Sequence, residues 1–217
     1  MAELYTATFI RSHDRDLKAE RILRILRKYV DIEKCRTLDI GCGDGKISSI
    51  ISKRSLDHTG IDRVDERKYK DFNFYKTSIK DFKPKEKFDV ILMKSVIEHF
   101  DLKKAYPQID KKVKQGGIIY ISVAKYYSPF DLHYYLPFIY YLPGQRLKDL
   151  YVRVSGRGSQ FDIRLWSLRE LKRLFKGYEF HQEMYQAMRN KLNVLRFVPK
   201  PLLNFLCPSY VLILKKK

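Results

Sequence analysis

Three glycines at alternate positions, Gly41, Gly43 and Gly45, follow a short apolar segment and precede the start of a helix. Glycine lacks a Cβ and adopts positive φ at little cost, so this segment can turn tightly and bring its backbone against a charged small molecule. The pattern favours an enzyme with a soluble cofactor. An ordinary tight connection between a strand and a helix is the alternative interpretation.

Apolar segments of strand length alternate with helical patterns along most of the chain. The predicted strands are Arg36–Ile40, His58–Ile61, Phe72–Lys76, Phe88–Met93, Ile118–Val123, Glu179–Tyr185 and Tyr210–Leu214. The predicted helices are Asp14–Val30, Lys46–Lys53, Asp101–Val113 and Ser167–Lys176, the third ended by Gly116-Gly117. Strands that alternate with helices predict parallel βαβ units and a doubly wound α/β sheet.

The length of 217 residues suits one medium-sized domain, and we expect 1–217 to form one. The three cysteines include no C-x-x-C pair, which favours a reducing compartment and argues against a zinc site. Met1–Tyr5 lacks a basic segment and no apolar run follows, so we expect no secretory leader and a cytoplasmic location.

The chain carries a formal net charge of +19 at pH 7. A basic balance favours anionic partners such as nucleic acid, phospholipid headgroups or phosphorylated substrates. The excess is spread along the chain rather than gathered in one arm, so a lysine-rich composition on solvated helix faces is the alternative interpretation.

An acidic residue follows the glycine turn at a suitable distance. Asp62 ends the second predicted strand, 17 residues beyond Gly45. A carboxylate there can accept hydrogen bonds from both hydroxyls of a ribose. The dinucleotide pattern G-x-G-x-x-G fits poorly, because its last position falls on Lys46 or Ser48 in the two possible frames.

Several motifs occur in the order found in one enzyme family. They are Leu38–Gly45 (LDIGCGDG), Gly60-Ile61-Asp62, Phe88–Ile91, Val96–Phe100 and Val113–Gly117. On these residues the chain resembles the class I S-adenosylmethionine-dependent methyltransferases, in particular a small-molecule or quinone-pathway branch. The resemblance implies a Rossmann-like, doubly wound, seven-stranded and mostly parallel sheet, with an insert that binds the methyl acceptor.

The same resemblance implies S-adenosylmethionine as the cofactor. Asp62 would take the ribose, Asp39 would order the loop and approach the ammonium group, and the glycine turn would lie along the amino-acid end. Many members carry an Asp after the third strand to hold the adenine, whereas this chain has Thr77 and Ser78. The implied cofactor residues are Asp39, Gly41, Cys42, Gly43, Gly45, Asp62, Thr77, Ser78, Lys94 and Ser95.

Two histidines are candidates for a general base. His99 lies in the motif after the fourth strand, and His133 lies in the tyrosine-rich region. A helix-entry residue bonded to the backbone is the alternative interpretation of His99. Some quinone-pathway members bind a divalent metal through Glu-x-x-Glu-His, but Ser95 replaces the first Glu here, so we expect no metal site.

Residues 126–160 hold many tyrosines and no clear period. We interpret this segment as an insert or lid over the acceptor. An interfacial segment is a second interpretation, because Tyr suits a boundary between apolar and aqueous phases. A small satellite core is a third. The basic and apolar tail Lys191–Pro208 could lie on anionic membrane or pack over the lid.

The sequence therefore predicts methyl transfer from S-adenosylmethionine to a small or lipid-linked acceptor, with oxygen as the favoured atom. The expected partners are that acceptor and, peripherally, anionic membrane, with nucleic acid less favoured. Two alternatives stay open at this point. One is an RNA methyltransferase, suggested by the charge, and the other is a non-catalytic protein that binds S-adenosylmethionine.

Overall fold

The computed structural model of the chain describes residues 15–125, 129, 131, 134–183 and 209–217. Seven strands in these ranges form one sheet in the order β3-β2-β1-β4-β5-β7-β6. The strands are β1 (Arg36–Ile40), β2 (Asp57–Asp62), β3 (Asn73–Lys76), β4 (Phe88–Lys94), β5 (Val113–Ala124), β6 (Tyr178–Glu183) and β7 (Ser209–Lys216). The predicted seven-stranded α/β sheet is confirmed.

Helices separate most of the strands along the chain. The α-helices are α1 (15–26), α2 (Lys46–Ser52), α3 (Leu102–Lys112), α4 (Gly144–Val154) and α5 (Leu168–Leu174). Short 3₁₀ helices cover Ile32–Lys34, Ile97–His99 and Ile139–Tyr141. Each predicted helix is present, with ends that differ by a few residues. Asp14, at which the first predicted helix begins, lies outside the described residues.

The pairing of the first strands decides where loop residues emerge. β1 pairs in parallel with β2 and with β4, and β2 pairs in parallel with β3. Ile40 is in register with Ile61 and with Met93, and Asp62 is in register with Lys76. The carboxyl ends of these strands therefore meet at one edge, where open α/β sheets bind ligands.

The core is densest in β4. Its residues Val90–Met93 are completely buried, as expected for a central strand covered on both faces. In β1, Leu38 and Ile40 are buried as well, and so is the polar side chain of Asp39. A buried carboxylate in a central strand needs hydrogen-bond donors, so Asp39 is a candidate functional residue rather than an ordinary core residue.

The fifth strand begins earlier than its sequence suggests. Gly116-Gly117 was expected to end a helix before a strand at Ile118, whereas β5 already begins at Val113 and includes both glycines. Gly116 has a φ of +73°. A Cβ at Gly117 would lie 3.0 Å from the carbonyl oxygen of Asp89. Gly117 therefore allows close packing within the sheet, Gly116 adopts a positive φ, and neither glycine forms the helix end.

The chain divides into two compact units. The first holds the described residues through Met93, together with Lys104–Tyr120 and Lys215–Lys217. The second holds Lys94–Lys103 and the described residues between Ile121 and Leu214. The single domain expected for 1–217 stays a prediction.

Candidate cofactor site and acceptor-side residues

The glycine turn in the first unit has the backbone that its sequence predicts. Gly41, Gly43 and Gly45 have φ values of +73°, +56° and +82°. The N–H of Gly41 donates to the carbonyl oxygen of Ile61 at 2.8 Å, which ties the start of the turn to the end of β2. The N–H of Cys42 donates to the same oxygen at 3.3 Å.

Asp62 lies directly opposite the turn. Its Oδ2 accepts a hydrogen bond from the N–H of Gly43 at 2.9 Å. Its Oδ1 accepts a longer one from the N–H of Val64 at 3.4 Å, and its carbonyl oxygen accepts one from Thr77 at 2.8 Å. The carboxylate therefore has a fixed position at the carboxyl edge of the sheet, beside backbone that carries no Cβ.

Asp39 is held from the other side of the turn. Its carboxylate is completely buried, and its Oδ2 accepts a hydrogen bond from Ser48 Oγ at 2.5 Å. Ser48 lies in α2, so this bond joins the strand before the turn to the helix after it. This geometry supports the loop-ordering role of Asp39. Its contact with an ammonium group stays a prediction.

Gly45 and Gly60 both make room for the segment that follows β2. A Cβ on Gly45 would lie 2.5 Å from the carbonyl oxygen of Tyr69, and a Cβ on Gly60 would lie 2.6 Å from Phe72 Cε2. The N–H groups of Lys68 and Tyr69 donate to the carbonyl oxygen of Asp44 at 2.9 and 3.2 Å. Residues 68–72 therefore pack directly on the turn.

The two adenine candidates after β3, Thr77 and Ser78, both have hydroxyl groups that donate hydrogen bonds within the protein. Ser78 Oγ donates to Asp81 Oδ2 at 2.6 Å, and its carbonyl oxygen accepts from the N–H of Asp81 at 3.2 Å. The hydroxyl of Ser78 thus stabilises its own turn. Thr77 is half-buried, and its backbone is fixed by Asp62. The hydroxyl of Thr77 donates to the carbonyl oxygen of Ser78 at 3.4 Å. Both residues remain predictions as adenine contacts.

Sequence reasoning did not anticipate that α1 would be joined to the turn by two ion pairs. Arg15 pairs with Asp44, and Lys46 Nζ lies 2.9 Å from Asp16 Oδ1. The hydrogen bond with Asp16 raises the pKa of Lys46. Lys46 Nζ also lies 4.8 Å from the ring centre of Tyr69. No spacing rule connects residues about thirty positions apart, so the sequence offered no signal for this contact.

Arg67 was also missed. Its guanidinium carbon lies 3.7 Å from the ring centre of Phe74, and its Nε lies 2.8 Å from Asp65 Oδ1. The hydrogen bond from Arg67 lowers the pKa of Asp65 to about 2. The i, i+2 spacing of Asp65 and Arg67 in a loop was the available signal. This pair stiffens the segment that packs on the glycine turn.

In the second unit, the last residue of β4 and the residue after it have unusual surroundings. Lys94 is buried, although its side chain is cationic. Ser95 is exposed and has a φ of +49°, and its N–H donates to the carbonyl oxygen of Ser122 at 2.8 Å. A residue other than glycine in this conformation is strained, and such strain is concentrated at functional sites. The geometry supports a functional role for the predicted pair.

The motif that follows is anchored by Glu98. This side chain is buried, and its Oε1 accepts a hydrogen bond from the N–H of Ala124 at 3.0 Å. Its carbonyl oxygen accepts from Arg164 at 3.1 Å. His99 is exposed at the end of the same 3₁₀ helix, and its N–H donates to the carbonyl oxygen of Val96. Glu98 thus fixes the backbone that carries His99.

The insert has a small core of its own. The buried members of this satellite core are Leu136, Ile139, Tyr140, Val152, Phe161 and Ile163. Asp131 is completely buried and accepts hydrogen bonds from the hydroxyl of Tyr140 and the N–H of Tyr134. Burial, followed by this hydrogen bond, raises the pKa of Tyr140. The satellite-core interpretation expects such a cluster, and the choice between a lid, an interfacial segment and a satellite core stays a prediction. The second base candidate, His133, lies outside the described residues.

A family model described as a methyltransferase domain matches residues 10–183. The chain therefore belongs to the methyltransferase domain family, and the resemblance inferred from the glycine turn and Asp62 is confirmed. S-adenosylmethionine is the cofactor that this membership implies. The predicted roles of individual residues are not settled by it.

Curated relatives match part of the chain. A ubiquinone biosynthesis O-methyltransferase of Rickettsia canadensis is 28% identical over 113 residues, which cover 46% of this chain and 48% of the relative. A Bradyrhizobium relative of the same description is 25% identical over 134 residues, covering 56% of this chain and 53% of the relative. The chain thus spans about half the length of the curated relatives it matches.

Solved structures share the fold over nearly the whole chain. The plantazolicin methyltransferase BpumL, in complex with a triazolic desmethylPZN analog and S-adenosyl-L-homocysteine (SAH), has a TM-score of 0.59 at 21% identity, covering 94% of this chain and 84% of that one. An S-adenosylmethionine-dependent methyltransferase from Mesorhizobium loti has a TM-score of 0.62 at 14% identity, covering 89% and 96%. At these identities the likeness establishes the Rossmann-like fold.

Proposed function

We propose that the protein transfers a methyl group from S-adenosylmethionine to a hydroxyl oxygen of a small or lipid-linked acceptor. The observation that carries this proposal is the position of Asp62, whose carboxylate faces the glycine turn and is oriented by the N–H of Gly43 at 2.9 Å. The names of the curated relatives support oxygen as the methylated atom and a quinone-type acceptor.

The residues of the first unit fit the proposed cofactor. A Cβ at Gly43 would meet no atom within 4 Å, so the space in front of this glycine is open, while its φ of +56° disfavours any side chain there. A carboxylate acceptor and uncluttered backbone therefore face the same space. When bound, S-adenosylmethionine supplies a methyl group that is already activated by its sulfonium charge.

Each residue then has a defined task. Asp62 accepts hydrogen bonds from ribose hydroxyls through oxygens that already have fixed directions, which lowers the ordering cost of binding. Asp39, through Ser48, keeps the turn in one conformation. Thr77 and Ser78 border the adenine, and Cys42 lines the turn. In the second unit, the buried Lys94 and the strained Ser95 are proposed to contact the cofactor.

A hydroxyl acceptor must lose its proton during the reaction, which calls for a general base. We propose His99 for this role, because it is exposed and its backbone is fixed through the buried Glu98. A histidine is the side chain whose ordinary pKa suits proton uptake near neutral pH. If His99 is the base, His99→Gln lowers kcat while the affinity for SAH stays unchanged.

Isothermal titration calorimetry with SAH tests the cofactor proposal. Asp62→Ala should weaken SAH binding by about 10- to 100-fold, because each hydrogen bond to a charged group contributes roughly 1.5–3 kcal/mol. Asp57→Asn is the matched control. Asp57 lies at the opposite end of the same strand, where it pairs with Arg36 at 3.3 Å. Wild-type protein that is folded and gives no heat with SAH would overturn the proposal.

Incubation of the protein with isotope-labelled S-adenosylmethionine and candidate acceptors, followed by mass spectrometry, tests the methylated atom. Label recovered as a methyl ether supports O-methylation. Label on nitrogen or carbon, with intact SAH binding, would overturn the oxygen assignment alone.

We also propose peripheral contact with anionic membrane, in keeping with a lipid-linked acceptor. Among the helices in the described part of the chain, none combines the length and apolar character needed to cross a bilayer. The net charge of +19 supports attraction to anionic headgroups.

A further inference from the structure

Helix α4 in the second unit has apolar residues on two opposite faces. Its inner face buries Val152 in the satellite core. On the other side, Leu147, Leu150 and Val154 are 47%, 52% and 78% exposed. These three residues recur at i, i+3 and i+7, the spacing that places side chains on one helix face. Only one of the two apolar faces is therefore used by the core that the structure describes.

The exposed face also carries positive charge. Arg146 and Arg153 are exposed, and the helical repeat of about 100° per residue places them on the same side as Leu150. The acidic residue of α4, Asp149, points elsewhere. Its Oδ1 accepts hydrogen bonds from the N–H of Phe161 and from Gln145 Nε2, both at 2.8 Å. The outer face thus combines leucine, valine and arginine without a carboxylate.

Exposed aromatic side chains precede the helix directly. Phe138 and Tyr141 are 62% and 45% exposed, and their ring centres lie 6.1 Å apart. Phe138 directly precedes the 3₁₀ helix Ile139–Tyr141 and Tyr141 is its last residue, while the first two residues of this helix belong to the satellite core. Aromatic rings next to a basic apolar helix are typical of segments that lie in the headgroup region of a bilayer.

We propose that the outer face of α4, formed by Arg146, Leu147, Leu150, Arg153 and Val154, docks on the surface of an anionic phospholipid bilayer. This assigns the general membrane contact proposed above to one surface, and it does not depend on methyl transfer. The face carries two arginines and no carboxylate, so its charge complements anionic phospholipid headgroups, which favours a membrane over a protein partner. In this arrangement the leucines and Val154 enter the acyl boundary, while Arg146 and Arg153 contact the lipid phosphates.

Vesicle co-sedimentation tests this surface with the full chain. The probes are vesicles of pure phosphatidylcholine and vesicles of phosphatidylcholine mixed with phosphatidylglycerol. We expect binding to the anionic vesicles, a decrease with added salt, and little binding to the neutral ones. Arg146→Gln/Arg153→Gln should reduce partitioning by about 30-fold, since each basic residue near such a surface contributes roughly 1 kcal/mol. Leu147→Glu/Leu150→Glu should abolish it.

Two matched controls separate this surface from general charge and hydrophobicity. Lys172→Gln/Arg173→Gln removes two charges from α5, and Leu56→Glu adds an acid at another exposed apolar position. Both should change partitioning by less than about threefold, a difference below 1 kcal/mol. Thermal melts of all variants check that each is folded.

Equal losses in the controls, or vesicle binding that the α4 variants leave unchanged, would overturn the proposal. So would self-association in solution that disappears in the leucine variant without any vesicle binding, because a second copy of the chain would then cover the face. Failure of this test leaves SAH binding unaffected, so it is distinguishable from failure of the proposed methyl transfer.

Discussion

The N–H of Gly43 donates a hydrogen bond to Oδ2 of Asp62 across 2.9 Å. This bond, like those from Gly41 and Cys42 to Ile61, joins the turn after β1 to the carboxyl end of β2. The carboxylate that is proposed to hold the ribose is also the acceptor that orients the glycine turn. Binding and loop order are coupled at this point, and substitutions on either side should affect both.

The two glycines that flank Asp44 should respond differently to alanine. Gly43→Ala introduces a Cβ into open space, so it should cost about 1–2 kcal/mol from its positive φ alone. Gly45→Ala has the same backbone cost and also places a Cβ 2.5 Å from the carbonyl oxygen of Tyr69, so the total should reach about 2–5 kcal/mol. Denaturant melts give both values.

Calorimetry on the same two variants adds a second check. The Cβ introduced by Gly43→Ala would enter the space proposed for the cofactor. This variant should therefore lose more free energy of SAH binding than free energy of unfolding. An SAH affinity equal to that of the wild type would contradict the placement of this glycine at the cofactor.

The buried bond between Ser48 and Asp39 should be expensive to remove. Ser48→Ala takes a donor away from a fully buried carboxylate, and we expect a loss of about 2–3 kcal/mol in the free energy of unfolding. Ser52→Ala is the control on the same helix. Its hydroxyl donates to the backbone carbonyl oxygens of Ser49 at 2.8 Å and Asp71 at 3.2 Å rather than to a buried carboxylate, and the expected change is within about 0.5 kcal/mol. Similar values for the two variants would contradict a structural role for Asp39.

The sequence predicted the parts of the site that depend on local rules. The positive φ at Gly45 follows from the chemistry of glycine, and the hydrophobic run of β4 follows from burial on both faces. The ion pair of Lys46 with Asp16 has no local rule, because only the folded backbone brings the two side chains together. The same holds for Gly60, whose lack of a Cβ matters only because Phe72 packs against it.

Two further features show why element boundaries were harder to predict. Gly116-Gly117 was interpreted as a helix end because glycine is common there, but both residues lie within β5, where Gly117 packs closely against β4. The strained Ser95 carried no signal at all, because serine is not a residue that favours positive φ. Tertiary contacts decided both cases, whereas the helix predicted to begin at Ser167 starts with a local capping box formed by Ser167 and Glu170.

That capping box gives a prediction about acid stability. Ser167 accepts from the N–H of Glu170, and Glu170 accepts in return from the N–H of Ser167 at 2.9 Å. Hydrogen bonds from Ser167 lower the pKa of Glu170. A lowered pKa in the folded state stabilises the protein above the ordinary value of 4.5, and this contribution is lost as the pH falls through the folded pKa.

Ser167→Ala should therefore cost about 1 kcal/mol at neutral pH, and the difference from the wild type should shrink in acid. Melting curves at neutral and acidic pH measure both effects. Ser159→Ala, in an exposed loop, is the control and should change neither. A difference that is constant across the acid range would show that the ionised Glu170 does not take part.

Tyr134 gives a prediction at alkaline pH. Burial, followed by the hydrogen bond that its hydroxyl donates to Asp162, raises the pKa of Tyr134 to about 12. Because the folded state favours the neutral phenol, this contribution to stability is complete below the ordinary pKa of 10 and is lost as the pH rises toward 12.

Tyr134→Phe keeps the ring, whose centre lies 5.6 Å from that of Phe161, and removes only the hydroxyl. This variant should lose about 1 kcal/mol at neutral pH and show a weaker alkaline decline, measured by melts between neutral pH and pH 11. Tyr75→Phe, at an exposed position of β3, should follow the wild-type curve at every pH. An alkaline decline in Tyr134→Phe as steep as that of the wild type would mean that the satellite core does not depend on the neutral form of this phenol.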